Sequence, residues 1–159
     1  MDHDLFVIAR ALHVIGVVIW IGGVSFVTTV LIPNLRKISD PENRLGAFES
    51  IERRFSMQAK FVTLVTGLSG FYMLHFLGAW ERYQYVQFWW LHLMTFVWIV
   101  FTIVLFVLEP LVLHSWFHER ATKNSDNAFV LLHGFHKLVL SMSVLAVLGA
   151  VAGSHGFQF

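Results

Sequence analysis

The sequence predicts an all-α integral membrane protein: a four-helix bundle running up-down-up-down, with an amphipathic interfacial helix between spans one and two. Composition is the first reason. The chain is 57% hydrophobic and only 13% charged, which an ordinary water-facing domain does not sustain. The second is that the apolar residues gather in four runs, about residues 5–31, 61–80, 86–113 and 128–153. At a rise of ~1.5 Å per residue each run covers the ~30 Å hydrocarbon core. Separate spans of this length must be helical, because lipid offers no partner to a backbone amide. The 159 residues make one transmembrane domain over 1–159. A formal net charge of +1 gives no reason to expect nucleic acid, and the absence of cysteine excludes disulfides and thiolate chemistry.

The first run follows Met1-Asp2-His3-Asp4, acidic where a secretory signal would be basic, and is too long for a signal core. It is therefore expected to be a retained span. Pro33 closes it. The connection that follows holds Arg36, Lys37, Arg44, Arg53, Arg54 and Lys60, which by the positive-inside rule sets it in the cytoplasm. Both termini then face the non-cytoplasmic side of a bacterial-type inner membrane. Ser39-Asp40-Pro41-Glu42 has the form of a helix start, with proline at the first helical position. Over about 41–58, Leu45, Phe48, Ile51 and Phe55 sort away from Arg44, Glu52, Arg53 and Arg54, predicting the interfacial helix.

Span two contains Gly67 and Gly70 for close packing and His75 near its outer end. Span three opens on Phe88-Trp89-Trp90-Leu91-His92, an aromatic belt, and ends at Glu109-Pro110, an acid at membrane depth beside a kink. Span four carries His133, His136 and Lys137 in its inner third, where Lys137 is expected to satisfy Glu109. The glycine faces suit packing within one bundle or between protomers of a homo-oligomer.

An ionisable imidazole inside an apolar run is a functional candidate, since its burial is costly without a partner. His13 lies ~12 Å, and His92 ~9 Å, from the outer ends of spans one and three by the helix rise. In the expected topology those spans are diagonal neighbours, so two level imidazoles could hold a macrocycle between them. A bis-histidine b-type haem is the expected occupant, with His75 the rival partner to His13. Gly16 and Trp20 share the helical stripe of His13, and Arg10, one turn away, would meet a haem propionate. His114, His118, His133 and His136 gather near the inner surface. Of these, His114, His133 and His136 could ligate a metal, zinc or copper, or serve a second haem; the alternative is a polar interface.

These residues carry a family likeness. Ala11-Leu12-His13-Val14-Ile15, Trp20, Gly22-Gly23, Leu31-Ile32-Pro33, Glu52-Arg53-Arg54-Phe55 and Trp90-Leu91-His92 together resemble the HemJ-type protoporphyrinogen oxidase family of bacterial membrane proteins. The chain is similar also to the CopD-type copper-resistance membrane domain, through Trp20 to Gly23 and Arg54-Phe55-Ser56. The first resemblance implies b-type haem, oxidation of a porphyrinogen and electron transfer to quinone. The second implies copper handling across the membrane. The chain departs from the HemJ-type pattern at Met94, where that family carries a lysine two residues after the histidine.

Overall fold

The computed structural model describes residues 2–156, without the side chains of residues 2 and 112–114. The described chain is all helical, with 93% of it in helix and no strand among the described residues. Helix α1 (Asp2–Phe26) passes through a π-helical turn, Val27–Leu31, into the short α2 (Ile32–Leu35). The cause lies in the sequence. Thr28 and Thr29 hydroxyls donate to the carbonyls of Val24 and Ser25, and Pro33 has no N–H for the carbonyls four or five residues behind it. The Thr28 carbonyl, five residues before Pro33, is instead met by His133 Nε2 at 2.9 Å.

Helix α3 (Pro41–Phe76) starts where the sequence expects it, with the Asp40 carboxylate accepting from Asn43 N at 3.0 Å and Pro41 at its first turn. It then runs unbroken for 36 residues. The expected interfacial helix and second span are thus one rod, because no residue between 41 and 76 after the first turn is a proline. It stops before the expected residue 80, at Leu77, where Gly78 takes φ 60° and its N–H returns to the His75 carbonyl. Two 3-10 turns, Ala79–Gln84 and Val86–Phe88, lead into α4 (Trp89–Ile103). This helix widens into a second π-helical stretch, Val104–Leu113, which contains Pro110. Helices α5 (His114–Lys123) and α6 (Ser125–Ser154) follow, the latter capped by Asn124, whose side chain accepts from Asn127 N.

Among the described residues, three helical stretches are long and apolar enough to cross a membrane: His3–Leu35, Val86–Leu111 and Ser125–Ser154. The C-terminal half of α3 is more polar, carrying Lys60, Thr63, Thr66, Ser69 and His75. Thr63, Thr66 and Ser69 are buried against the neighbouring helices, Lys60 is half-buried and His75 is exposed. Helix α1 lies along α3, and α4 along α6.

Two apolar clusters hold the helices. One joins Val27, Ile32, Leu35 and Leu45 to Phe117 and Phe129; the other joins Trp20 and Val24 to Val62 and Val97. Arg44 clasps the first cluster, its Nη2 donating to the Ile38 carbonyl at 2.7 Å and its Nη1 to Asp126. Close approach is set by glycine. The Trp98 indole lies where a Gly67 side chain would stand, and its Nε1 donates to the Thr63 carbonyl at 2.9 Å; Trp90 lies likewise against Gly153. Overpacking such a contact costs ~1–3 kcal/mol. Gly67→Leu is therefore expected to lower the melting temperature of the detergent-purified chain by several degrees, while Gly22→Leu, with open space at its Cα, leaves it unchanged.

Candidate functional site

His13 and His92 are partnered within the fold. His13 Nδ1 lies 2.9 Å from the Thr66 carbonyl, to which it donates, and 3.3 Å from Ser69 Oγ. That tautomer leaves Nε2 with a lone pair, the form a ligating imidazole takes when a backbone carbonyl holds its other nitrogen. Gly16 and Gly70 make the approach of α1 to α3 possible: a Cβ on Gly16 would strike the Thr66 hydroxyl, and one on Gly70 would sit 3.1 Å from His13 Cε1.

His92 is held differently. Its Nε2 lies 3.0 Å from the Tyr83 carbonyl and its Nδ1 3.1 Å from the Phe88 carbonyl, and a neutral ring donates to only one of them at a time. The structure therefore turns the two imidazoles to different elements, His13 to α3 and His92 to the turn before α4. Iron ligation by His92 would require release of one carbonyl. His75 is exposed near the end of α3, and Arg10 is exposed on α1.

The histidines of α5 and α6 divide by role. His133 completes the Thr28 carbonyl, a structural duty created by Pro33. His136 Nδ1 donates to the Leu132 carbonyl at 2.9 Å, which leaves its Nε2 as an acceptor. His118 Nδ1 meets Glu49 Oε1 at 2.9 Å. The side chain of His114 lies outside the described residues. Among the described residues no group of three His, Asp or Glu side chains stands close enough to hold a metal ion.

A cavity of about 420 Å³, with neither His13 nor His92 in its lining, sits between α1, α3, α4, α5 and α6. Its walls are mostly aliphatic and aromatic, with Val24, Leu31, Phe55, Phe101, Leu105 and Phe135 among them. Both π-helical stretches contribute, through Val27 and Leu31 on one and Val104, Leu105, Leu108 and Glu109 on the other. Such widened turns recur at functional sites. Trp20 and His136 line the cavity too, the first two sequence candidates to share one space. The Trp20 indole N–H is buried and has no hydrogen-bond acceptor among the described residues.

Four ionisable residues belong to this wall: Glu49, Glu52, Glu109 and His136. Glu109 is anchored rather than loose. The Ser56 hydroxyl donates to its carboxylate, 2.6 Å from Oε1, and Lys60 Nζ donates to Oε1 at 2.9 Å. Ser56 and Lys60 stand one turn apart on a single face of α3, which is how one helix supplies both donors. Lys60, not the expected Lys137, is thus the partner of Glu109. Lys137 is exposed on α6. Sequence reasoning missed Ser56, Lys60 and the cavity, although the i, i+4 pair entering an apolar run was a readable signal for a buried acid across the way.

No family model matches the chain, and no solved structure matches it. A protein of Aquifex aeolicus (strain VF5), described only as an uncharacterized protein, is 36% identical over 67 residues, 40% of this chain and 46% of that protein. The chain thus matches somewhat less than half the length of this relative.

Removing one member of a desolvated ion pair costs more than removing both, since the survivor is left uncompensated. Lys60→Met is accordingly expected to destabilise the chain more than Lys60→Met combined with Glu109→Gln. A double-mutant cycle read by thermal unfolding should return a coupling of ~1 kcal/mol or more.

Proposed function

We propose that this chain is a ligand-binding membrane protein, four spans running up-down-up-down with both termini on the non-cytoplasmic side of a bacterial-type inner membrane, that admits an apolar molecule to its inner cavity. The observation carrying this is the cavity itself. Its volume falls in the range of small-molecule sites, ~300–1,000 Å³, and it combines an apolar wall with a few polar groups, the usual make-up of such sites. Three of those groups have fixed orientations: Glu109 through Ser56 and Lys60, Glu49 through His118, and His136 through Leu132. A ligand would therefore meet a prepared surface rather than organise one. Filling the space should abolish binding. In lipid nanodiscs a neutral apolar fluorophore is expected to bind saturably at one per chain, and Leu105→Trp to weaken it at least tenfold, while Val18→Trp on the exposed side of α1 has no effect. Binding that is non-saturable in every variant would overturn the reading.

A second reading, favoured by the tautomer of His13, is a b-type haem protein. His13 would supply one axial nitrogen and His92, once freed from Tyr83, the other; His75 is the substitute, and Arg10 the cation for a propionate. The haem would supply one-electron redox chemistry when bound, and the chain would set its ligation and keep water away. The reduced-minus-oxidised visible spectrum of the purified protein should then show b-type bands, lost in His13→Ala and in His92→Ala but kept in His118→Ala. A colourless protein that holds copper through dialysis would replace haem with metal handling.

A further inference from the structure

The rim of the cavity points to the source of its ligand. Leu108, Trp116, Leu131 and Phe135 belong to the wall and are at the same time exposed, so they mark a mouth. Leu108 lies in the apolar stretch Val86–Leu111, and Leu131 and Phe135 in Ser125–Ser154. The mouth therefore opens through the sides of two spans, toward lipid. Local structure explains the gap: α4 lies along α6, whereas its π-helical continuation, which holds Pro110, parts from α6. The polar atoms of the wall narrow the choice of ligand further. Its acids are met within the protein, Glu109 by Ser56 and Lys60, Glu49 by His118, and Glu52 by a partner of its own, so they call for no counter-charge. His136 is different. Its Nδ1 donates to the Leu132 carbonyl, which makes Nε2 an acceptor, and among the described residues nothing donates to it. The buried side-chain atoms without a partner are Trp20 Nε1, Thr63 Oγ1 and Thr66 Oγ1, so Nε2 is not sealed off by protein, while the Trp20 N–H is. The other indole of the wall, Trp116, stands at the mouth, with the Arg120 guanidinium 5.3 Å from its ring centre. Past the mouth the wall offers acceptors only.

We propose that the cavity takes a neutral alcohol from the bilayer, an apolar body with one hydroxyl, which enters between the stretch Val104–Leu113 and α6 and donates that hydroxyl to His136 Nε2. This rests on the cavity being the ligand site. A hydroxyl that leaves the headgroup region for an apolar chamber must keep a hydrogen bond, and Nε2 supplies it. Helix α6 provides both parts of the arrangement: Leu131 and Phe135, one turn apart, stand at the rim, and Leu132 and His136, one turn apart, stand beside them on the wall. An ether of the same shape has no hydrogen to give. Its oxygen would be buried against acceptors only, and the site rejects it for that reason. A charged amphiphile fares worse, because the acids it would meet are already matched and its charge would be desolvated without return.

The test uses pyrenemethanol and its methyl ether, one fluorescent skeleton with and without the hydroxyl hydrogen. The full chain is held in phosphatidylcholine nanodiscs with empty discs subtracted, at a mildly alkaline pH that keeps an imidazole neutral. The alcohol is expected to bind saturably at one per chain, at least tenfold tighter than the ether. His136→Phe should bring the alcohol down to the level of the ether and leave the ether unchanged, which also reports that the cavity is intact. In the wild-type chain carrying isotopically labelled histidine, one imidazole nitrogen signal should shift with the alcohol and stay in place with the ether, a measurement that needs no variant to fold. Leu131→Trp, which narrows the mouth, should slow uptake of the alcohol severalfold. Alcohol and ether bound alike, a preference that survives His136→Phe, or imidazole signals unmoved by the alcohol overturns the hydroxyl recognition and leaves the cavity reading standing. Uptake unchanged by Leu131→Trp overturns the lateral route. Saturable binding by neither probe overturns the proposal and the cavity reading together.

Discussion

Charge in a bilayer must be met from within the protein, and the pairing of Glu109 with Ser56 and Lys60 is the place where this chain meets that demand most visibly. The pair ties α3 to the widened stretch after α4, two walls of the same cavity. Without it a carboxylate beside Pro110 would face hydrocarbon, and the stretch Val104–Leu113 would lose its main polar tether to α3. Glu109 and Ser56 both line the cavity, so the polar contact between these walls lies at its edge.

Proline creates the other half of the arrangement. Pro33 and Pro110 each withdraw an N–H from a transmembrane helix, and each sits in or beside a π-helical stretch that lines the cavity. At Pro33 the debt is settled by His133, which donates to the Thr28 carbonyl and so fixes α6 to the end of α1. A histidine that looks like a metal ligand in the sequence is here a replacement backbone donor. His136, one turn on, keeps a free ring nitrogen and faces a different environment, so spacing alone could not have sorted the two.

Much of the fold was legible because lipid imposes a simple rule: apolar runs of sufficient length become helices. The first, third and fourth runs, the cap at Asp40 and the stop near Pro33 follow from that rule and from capping chemistry. The merger of the interfacial helix with the second span into α3 was not legible. Periodicity marks a face, whereas continuity depends on the absence of a breaker, and the charges at Arg53 and Arg54 resemble a boundary without being one. His13 and His92 share a depth by spacing, and depth along a helix says nothing of rotation about it. Thr66 and Tyr83, each acting through a backbone carbonyl, hold the two rings, and a carbonyl leaves no trace in residue identity. Glu109 pairs with Lys60 rather than Lys137, because spacing along the chain does not fix which face of a neighbouring helix a cation occupies.

The central claim is that the space between Trp20 and Glu109 is occupied by a ligand in the working protein. The most direct measurement is a crystal structure grown from a lipid mesophase with the neutral apolar fluorophore present. The account predicts electron density for one probe per chain between Phe101, Leu105 and Phe135, with Glu109 still on Ser56 and Lys60. A structure in which those side chains have closed over the space, with the probe found only in the surrounding lipid, would contradict it.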